Sequence, residues 1–256
     1  MARRNPAYVG RVPRRIRFHA HADPPLPMVT VLFLLALIAA LPAEAAADKP
    51  PVPLRIVAFG DSLTSGHRLP EKDAYPAVVQ KKLKAAGLPY TILNYGVSGD
   101  TTTRALRRLD RALAEKPQIF IVELGVNDGL RGVPVPEIKA NLEKIIAAAQ
   151  EQNAEVLLCA MEALPLNGWQ YTIDFHRMYE ELAMKYGVPL VPFLMNGVLG
   201  NPDLIGADGV HPNAAGARFI AETVWEYLQP MARAIATEGV KPPSQRTPEP
   251  TKPGTR

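Results

Sequence analysis

Gly60-Asp61-Ser62 closes an apolar run, and three more polar turns follow it along the chain: "GVSGD" at 96–100, "GVND" at 125–128 and "DGVHPN" at 208–213. Their residue types suit acyl transfer. A Ser hydroxyl is a weak nucleophile at neutral pH unless a base takes its proton, and a neutral imidazole oriented by a carboxylate does that work. Ser62 can be the nucleophile and His211 the base, with Asp208, three residues earlier, holding the imidazole in the right tautomer. A tetrahedral intermediate also needs donors for its oxyanion. The backbone N–H groups of Ser62 and Gly99 and the side-chain amide of Asn127 can supply them, because glycine lets the backbone approach and Asn carries two N–H donors.

Each turn also has a plainer reading. Ser and Asp cap helices, so Asp61 and Ser62 can simply start one. Asn127-Asp128-Gly129 has the composition of a turn, and "DGVHPN" that of a loop and cap. Four such turns in order favour the catalytic reading, although for Asp61 a structural role remains the better one. His67, five residues after Ser62, is a rival base that sits next to Arg68 with no close carboxylate in sequence. His176, among Asp174 and Arg177, reads as surface or packing, while Trp169 and Tyr171 can line a cleft or anchor a loop.

The elements that must carry these turns are visible in the apolar pattern. Strand-like runs fall at 54–59, 90–95, 119–124, 155–160 and 188–193. Between them lie helical periods: Tyr75, Val78, Val79, Leu83 and Ala86; Leu106, Leu109 and Leu113; Ile138, Leu142, Ile145, Ile146 and Ala149; and Met178, Leu182 and Tyr186. A last helix carries Phe219, Ile220, Val224, Trp225 and Leu228. Alternating strands and helices imply right-handed crossovers and an α/β fold with a five-stranded, mostly parallel sheet covered on both faces. Sites in such folds lie beyond the carboxyl ends of strands, where the first three polar turns fall.

Gly60-Asp61-Ser62-Leu63, Gly99, Gly125-x-Asn127-Asp128 and Asp208-x-x-His211 resemble the four blocks of the SGNH (GDSL) hydrolases, in the family's order, over about residues 54–230. Longer stretches, "VSGDTTTRALRRL" and "VELGVNDGLRG" among them, resemble the bacterial periplasmic thioesterase, lysophospholipase and arylesterase branch. The resemblance implies a flavodoxin-like three-layer α/β/α sandwich, a Ser62, Asp208 and His211 triad, and an oxyanion hole of Ser62, Gly99 and Asn127. It further implies that Asp128, Gly129 and Leu130 belong to a mobile loop beside an acyl pocket, for which Leu164 and Pro165 are candidate walls. Two positions depart from that branch: Thr64 stands where it often has Ser, and Val126 where it often has Gly. The α/β-hydrolase elbow G-x-S-x-G is not matched, because Thr64 follows Ser62 by two.

The expected function is therefore that of a serine esterase acting on carboxylic esters or thioesters, lysophospholipid included, through an acyl-enzyme. A carbohydrate O-deacetylase is the alternative within hydrolases, and a non-catalytic binding module on the same fold the alternative outside them. Phosphate-loop, dinucleotide and H-E-x-x-H motifs are missing from the sequence, so no cofactor or catalytic metal is implied. A monomer is expected.

Composition bears on the remaining classes. The net charge of +4 comes from the ends: residues 48–236 carry 19 Lys and Arg against 21 Asp and Glu, which removes the support for a nucleic-acid partner. The single cysteine, Cys159, lies in a strand-like run and excludes an internal disulfide. The apolar run from Val29 to Leu41 is too short for a bilayer-spanning helix, which needs about 20 residues, and matches a secretory leader over 28–47 with cleavage after Ala47. Residues 1–27 are either an extension or lie upstream of a start at Met28. The expected product is a periplasmic or secreted domain over 48–236, followed by a Pro-rich disordered tail from 237 to 256.

Overall fold

The computed structural model of the protein describes residues 54–238. The expected leader, its cleavage point and nearly all of the Pro-rich tail lie outside those residues. Five parallel strands form the sheet in the order β2-β1-β3-β4-β5: β1 is Leu54–Gly60, β2 Tyr90–Gly96, β3 Ile119–Glu123, β4 Glu155–Cys159 and β5 Leu190–Val191. The inner strands are near-continuous apolar runs because helices cover both of their faces. From Ile56 to Phe59 and from Ile119 to Val122 the side chains are buried throughout.

The helices in chain order are α1 (Ser62–Ser65), α2 (Tyr75–Ala85), α3 (Thr102–Leu106), α4 (Leu109–Leu113), α5 (Val126–Leu130), α6 (Val135–Glu151), α7 (Trp169–Tyr186) and α8 (Ala214–Glu238). On one side α2 packs against α8, and on the other α6 packs against α3 and α7, giving three layers. Ile138, Leu142, Ile145, Ile146 and Ala149 of α6 are all buried, as their spacing predicts. No helix among the described residues is long and apolar enough to cross a membrane.

Three details differ from the sequence reading. The run at 188–193 yields only a two-residue strand, because Pro189 and Pro192 flank Leu190–Val191 and proline has no N–H to give the ladder. The Leu106, Leu109 and Leu113 period is split into α3 and α4, with Arg108 between them at φ −117° and ψ 5°. Finally, α8 runs to Glu238, past the expected domain boundary at 236.

The strand order matters for the site. From β1 the chain moves outward to β2, then returns to place β3 on the other side of β1. The connections leaving β1 and β3 therefore diverge, and a crevice opens between the carboxyl ends of those two strands. Gly60 at the end of β1 is in register with Glu123 at the end of β3. The turns carrying Ser62 and Asn127 start there.

Candidate active site

Ser62 is the first residue of α1, directly after β1, and Asp61 caps that helix by accepting from Leu63 N–H at 3.1 Å. The opening N–H groups of a helix have no partner within it. Ser62 N–H is one of these, and it has no hydrogen-bond partner among the described residues. The helix can lie this low over the sheet because residue 96 is glycine: a Cβ there would run into the backbone of Thr64 and Ser65.

The second turn, after β2, closes with Asp100 N–H on Val97 C=O at 3.1 Å and places Gly99 at φ +75°, a conformation L side chains avoid. In the third, Gly125 takes φ +125°, so Val126 does not need a glycine's freedom and instead rests on the core as the first residue of α5. Asn127 follows one residue later.

The fourth turn brings His211 over Ser62. Ser62 Oγ lies 3.0 Å from His211 Nε2, and His211 Nδ1 lies 3.0 Å from Asp208 Oδ2, across 149 residues of sequence. Asp208 Oδ1 is held separately, accepting from His211 N–H at 2.9 Å and Val210 N–H at 3.1 Å. These two backbone donors, with the imidazole, hold the Asp208 carboxyl well below the usual carboxylate range, so it is an anion wherever the protein is folded at ordinary pH. An anion facing Nδ1 favours the tautomer with Nδ1–H toward Asp208, which leaves the Nε2 lone pair to accept from the Ser62 hydroxyl. Such a chain can take a proton from the hydroxyl as it attacks a carbonyl, and return it to a leaving group.

Asn127 is aimed by Asp61. Its Nδ2 donates to Asp61 Oδ2 at 2.9 Å, which uses one amide N–H and fixes the direction of the other. Arg131 ties the neighbouring turns together, donating to Asn127 C=O at 2.7 Å and toward Gly99 C=O at 3.5 Å. Among the described residues Gly99 N–H also has no hydrogen-bond partner.

Residues 58–219 match the GDSL-like Lipase/Acylhydrolase family. The chain belongs to that family. It is 36% identical over 177 residues to esterase TesA of Pseudomonas aeruginosa, covering 69% of this chain and 88% of that protein. It is 33% identical over 202 residues to an arylesterase of Vibrio mimicus, covering 78% and 98% respectively. Its fold is similar to that of the psychrotrophic esterase EstA of a Pseudoalteromonas species, solved with monoethylphosphonate as inhibitor, at TM-score 0.67 and 29% identity over 70% of this chain and 98% of that one.

In this GDSL-like hydrolase the other residues singled out in the sequence have separate places. Asp128 turns away from solvent: it is fully buried, and its carboxylate accepts from Thr102 N–H at 2.9 Å and the Thr102 hydroxyl at 2.7 Å. It clamps α5 to α3 and does not face the crevice, which corrects its expected place beside the acyl chain. Gly129 is buried against Phe175 and Ala163, and its carbonyl accepts from Asn167 Nδ2 at 2.9 Å. That bond docks the 164–168 loop on the α5 turn. Leu130, Leu164 and Pro165 are exposed on these two joined segments. Trp169 is 74% exposed, while Tyr171 anchors a loop by donating to Val133 C=O at 2.7 Å. His176 is on the surface against Glu162. His67 is no base for Ser62, since its Nδ1 faces Ser98 Oγ at 3.3 Å and its ring packs on that of His211, centroids 4.4 Å apart.

Two residues beneath the site were not singled out from sequence. Glu123 ends β3 in complete burial, where its Oε2 accepts from Asp61 N–H at 3.1 Å and the Thr64 hydroxyl at 2.8 Å. Burial and the charge of Asp61 push its carboxyl well up, while burial lifts Asp61 only to about 6 because Leu63 N–H and the Asn127 amide favour its anion. Burial thus pushes both carboxyls upward, and Asp61, the member that faces Asn127, is the one that accepts from donors on both of its oxygens. Arg108 is the other. It donates to Asp100 Oδ2 at 2.7 Å, Tyr95 C=O at 2.6 Å and Gly60 C=O at 2.9 Å, and its guanidinium lies 4.1 Å from the Phe59 ring centre.

Arg108 accounts for the break between α3 and α4: a continuous helix would not turn this side chain under the ends of β1 and β2. Arg108→Ala takes the near cation from a carboxylate that is 3% exposed, leaving it Arg104 Nε at 3.5 Å, and removes one donor each from the Tyr95 and Gly60 carbonyls, the second of which keeps Val97 N–H at 3.0 Å. Removing one partner of a buried pair costs about 3–5 kcal/mol. A drop of that size in unfolding free energy, read from the urea midpoint, is expected, and an unchanged midpoint would remove Arg108 from the site's foundation.

Proposed function

We propose that this chain is a serine esterase that cleaves carboxylic esters or thioesters through an acyl-enzyme. The observation that carries the proposal is the unbroken line Ser62 Oγ, His211 Nε2, His211 Nδ1, Asp208 Oδ2, with 3.0 Å at both hydrogen bonds. Ser62 Oγ attacks the acyl carbonyl and gives its proton to His211, whose positive charge Asp208 balances. Ser62 N–H, Gly99 N–H and the second N–H of Asn127 take the oxyanion. Collapse expels the alcohol or thiol with the proton from His211, and water then repeats the sequence to free the acid. The names of the two relatives, esterase TesA and arylesterase, support this substrate class. The exposed Leu130 and Leu164 on the joined loops support an acyl chain lying along that rim. Action outside the cytoplasm and as a monomer completes the reading, the first supported by the leader-like run at 28–47.

A panel of p-nitrophenyl esters of increasing acyl length tests the substrate class, run beside an acetylated sugar. Faster release from the sugar than from every acyl ester would favour the deacetylase reading. A fluorophosphonate probe should add to Ser62 and nowhere else, and a chain that takes up no probe is a binding module. Asn127→Ala should lower turnover by about 10²–10³ with far less change in KM, because the amide acts on the oxyanion and not on the ground-state ester. An equal loss through KM alone would remove Asn127 from the hole.

A further inference from the structure

His67 does nothing in the hydrolytic sequence, yet it puts a second imidazole against the first. One donor atom from each of His67, Asp208 and His211 lies within 4.8 Å of the others. Imidazole nitrogen together with a carboxylate oxygen is a donor set for Zn²⁺ or Cu²⁺ and a poor one for Mg²⁺. Tetrahedral Zn²⁺ with bonds of about 2.0–2.1 Å wants its donors about 3.3 Å apart. Asp208 Oδ2 and His211 Nδ1 already stand at 3.0 Å. His67 is partly exposed, and its Nδ1 is engaged only at 3.3 Å with Ser98 Oγ, so a small side-chain rotation closes the third position. Among the described residues the competing cation is Arg68, which approaches Asp208 Oδ2 at 3.5 Å on a side chain that is 71% exposed and able to swing into solvent.

We propose that His67, Asp208 and His211 form a reversible inhibitory site for Zn²⁺ or a similar borderline transition-metal ion, so that the esterase is switched off when such an ion is available. The metal silences the triad whichever nitrogen of His211 it takes. At Nε2 it occupies the lone pair that Ser62 needs. At Nδ1 it takes that nitrogen's lone pair, so the single proton of the neutral ring passes by way of solvent from Nδ1 to Nε2, which then presents an N–H to Ser62 in place of an acceptor. The proposal rests on the triad reading for its effect on activity, but not for the binding itself.

The experiment uses the full chain, with ZnCl₂ as probe and MgCl₂ as the hard-cation control. Ester turnover of wild type should fall with ZnCl₂, return on adding EDTA and ignore MgCl₂. His67→Phe keeps a ring against His211 but offers no ligand, and His67→Gln removes the ring. Both should keep their turnover without zinc and need about 10–100-fold more ZnCl₂ for the same inhibition. Calorimetry of Ser62→Ala with ZnCl₂, beside the Ser62→Ala, His67→Phe double variant, reads binding without activity, and the affinity should fall by the same factor. Equal zinc sensitivity of wild type and both His67 variants overturns the site, as does wild-type activity that zinc leaves untouched. A chain that binds zinc through His67 yet hydrolyses no ester refutes the esterase reading and leaves the site standing.

Discussion

Ser62→Ala is expected to remove ester turnover, a fall on the order of 10⁶ in kcat, while leaving the fold and its stability in place. The separation of the two effects follows from what the hydroxyl touches. Its Oγ meets His211 Nε2 at 3.0 Å and Asp61 Oδ1 at 3.4 Å, the second too long to hold much. The capping of α1 is done by the Asp61 carboxylate, so the alanine leaves the helix start intact. Unfolding free energy should therefore change by less than about 1 kcal/mol. Because the hydroxyl is useful only while the imidazole can take its proton, Ser62→Ala and His211→Ala together should cost no more than either alone. The measurement is p-nitrophenyl ester hydrolysis by the two single variants and the double variant, with circular dichroism melts alongside. Wild-type turnover in Ser62→Ala would end the acyl-enzyme mechanism for this chain.

Ser62, Asn127 and His211 stand out in the sequence because each sits on a polar turn interrupting an apolar period, and the α/β layout sends the first two to the same end of the sheet. The glycines that make those turns possible, Gly99 and Gly125, are legible for the same reason. What sequence could not show is which side chains face each other beneath the turns. Glu123 lies inside the strand-like run 119–124 with nothing in the sequence to give it a partner, yet it is buried under Asp61 and Thr64. Arg108 falls inside a helical leucine period with nothing in the sequence to mark it out, whereas it binds the ends of β1 and β2. For Asp128 the family resemblance implied a loop beside the acyl pocket, and its carboxylate is bound to Thr102. In each case the deciding partner lies on another element, and a one-dimensional period carries no record of it.

The acid pair under Ser62 also explains how Asn127, the proposed oxyanion donor, is held in one orientation. Asn127 is a short side chain on a five-residue helix, with little else to orient it. Asp61 Oδ2, at 2.9 Å, draws one amide N–H downward and leaves the other for a different partner, while Glu123 holds Asp61 in place by accepting from its backbone N–H. Two charges there would repel each other, which is part of what pushes the Glu123 carboxyl upward. The buried pair therefore sets the direction of the Asn127 amide from beneath its turn.

Asp208→Asn should lower turnover by about 10⁴, more than the loss expected for Asn127, although it changes one atom and no charge contact with substrate. The structure specifies why the new amide cannot adapt. Asp208 Oδ1 accepts from two backbone N–H groups, of Val210 and His211, so the amide oxygen must take that position; its nitrogen would confront two donors there. The NH₂ group is then left facing His211 Nδ1, formerly 3.0 Å from a carboxylate oxygen. A donor in that place makes Nδ1 an acceptor and moves the ring proton to Nε2, which then meets Ser62 with an N–H and no lone pair. The geometry survives while the base is lost, so KM for a p-nitrophenyl ester should hold nearly constant as kcat falls. Asp208→Ala frees both nitrogens to choose their tautomer but releases the Val210 and His211 amides, so it should lose stability where Asp208→Asn does not. If Asp208→Asn kept turnover within about tenfold of wild type, the imidazole would be oriented by something other than residue 208, and the triad would reduce to a Ser62 and His211 pair.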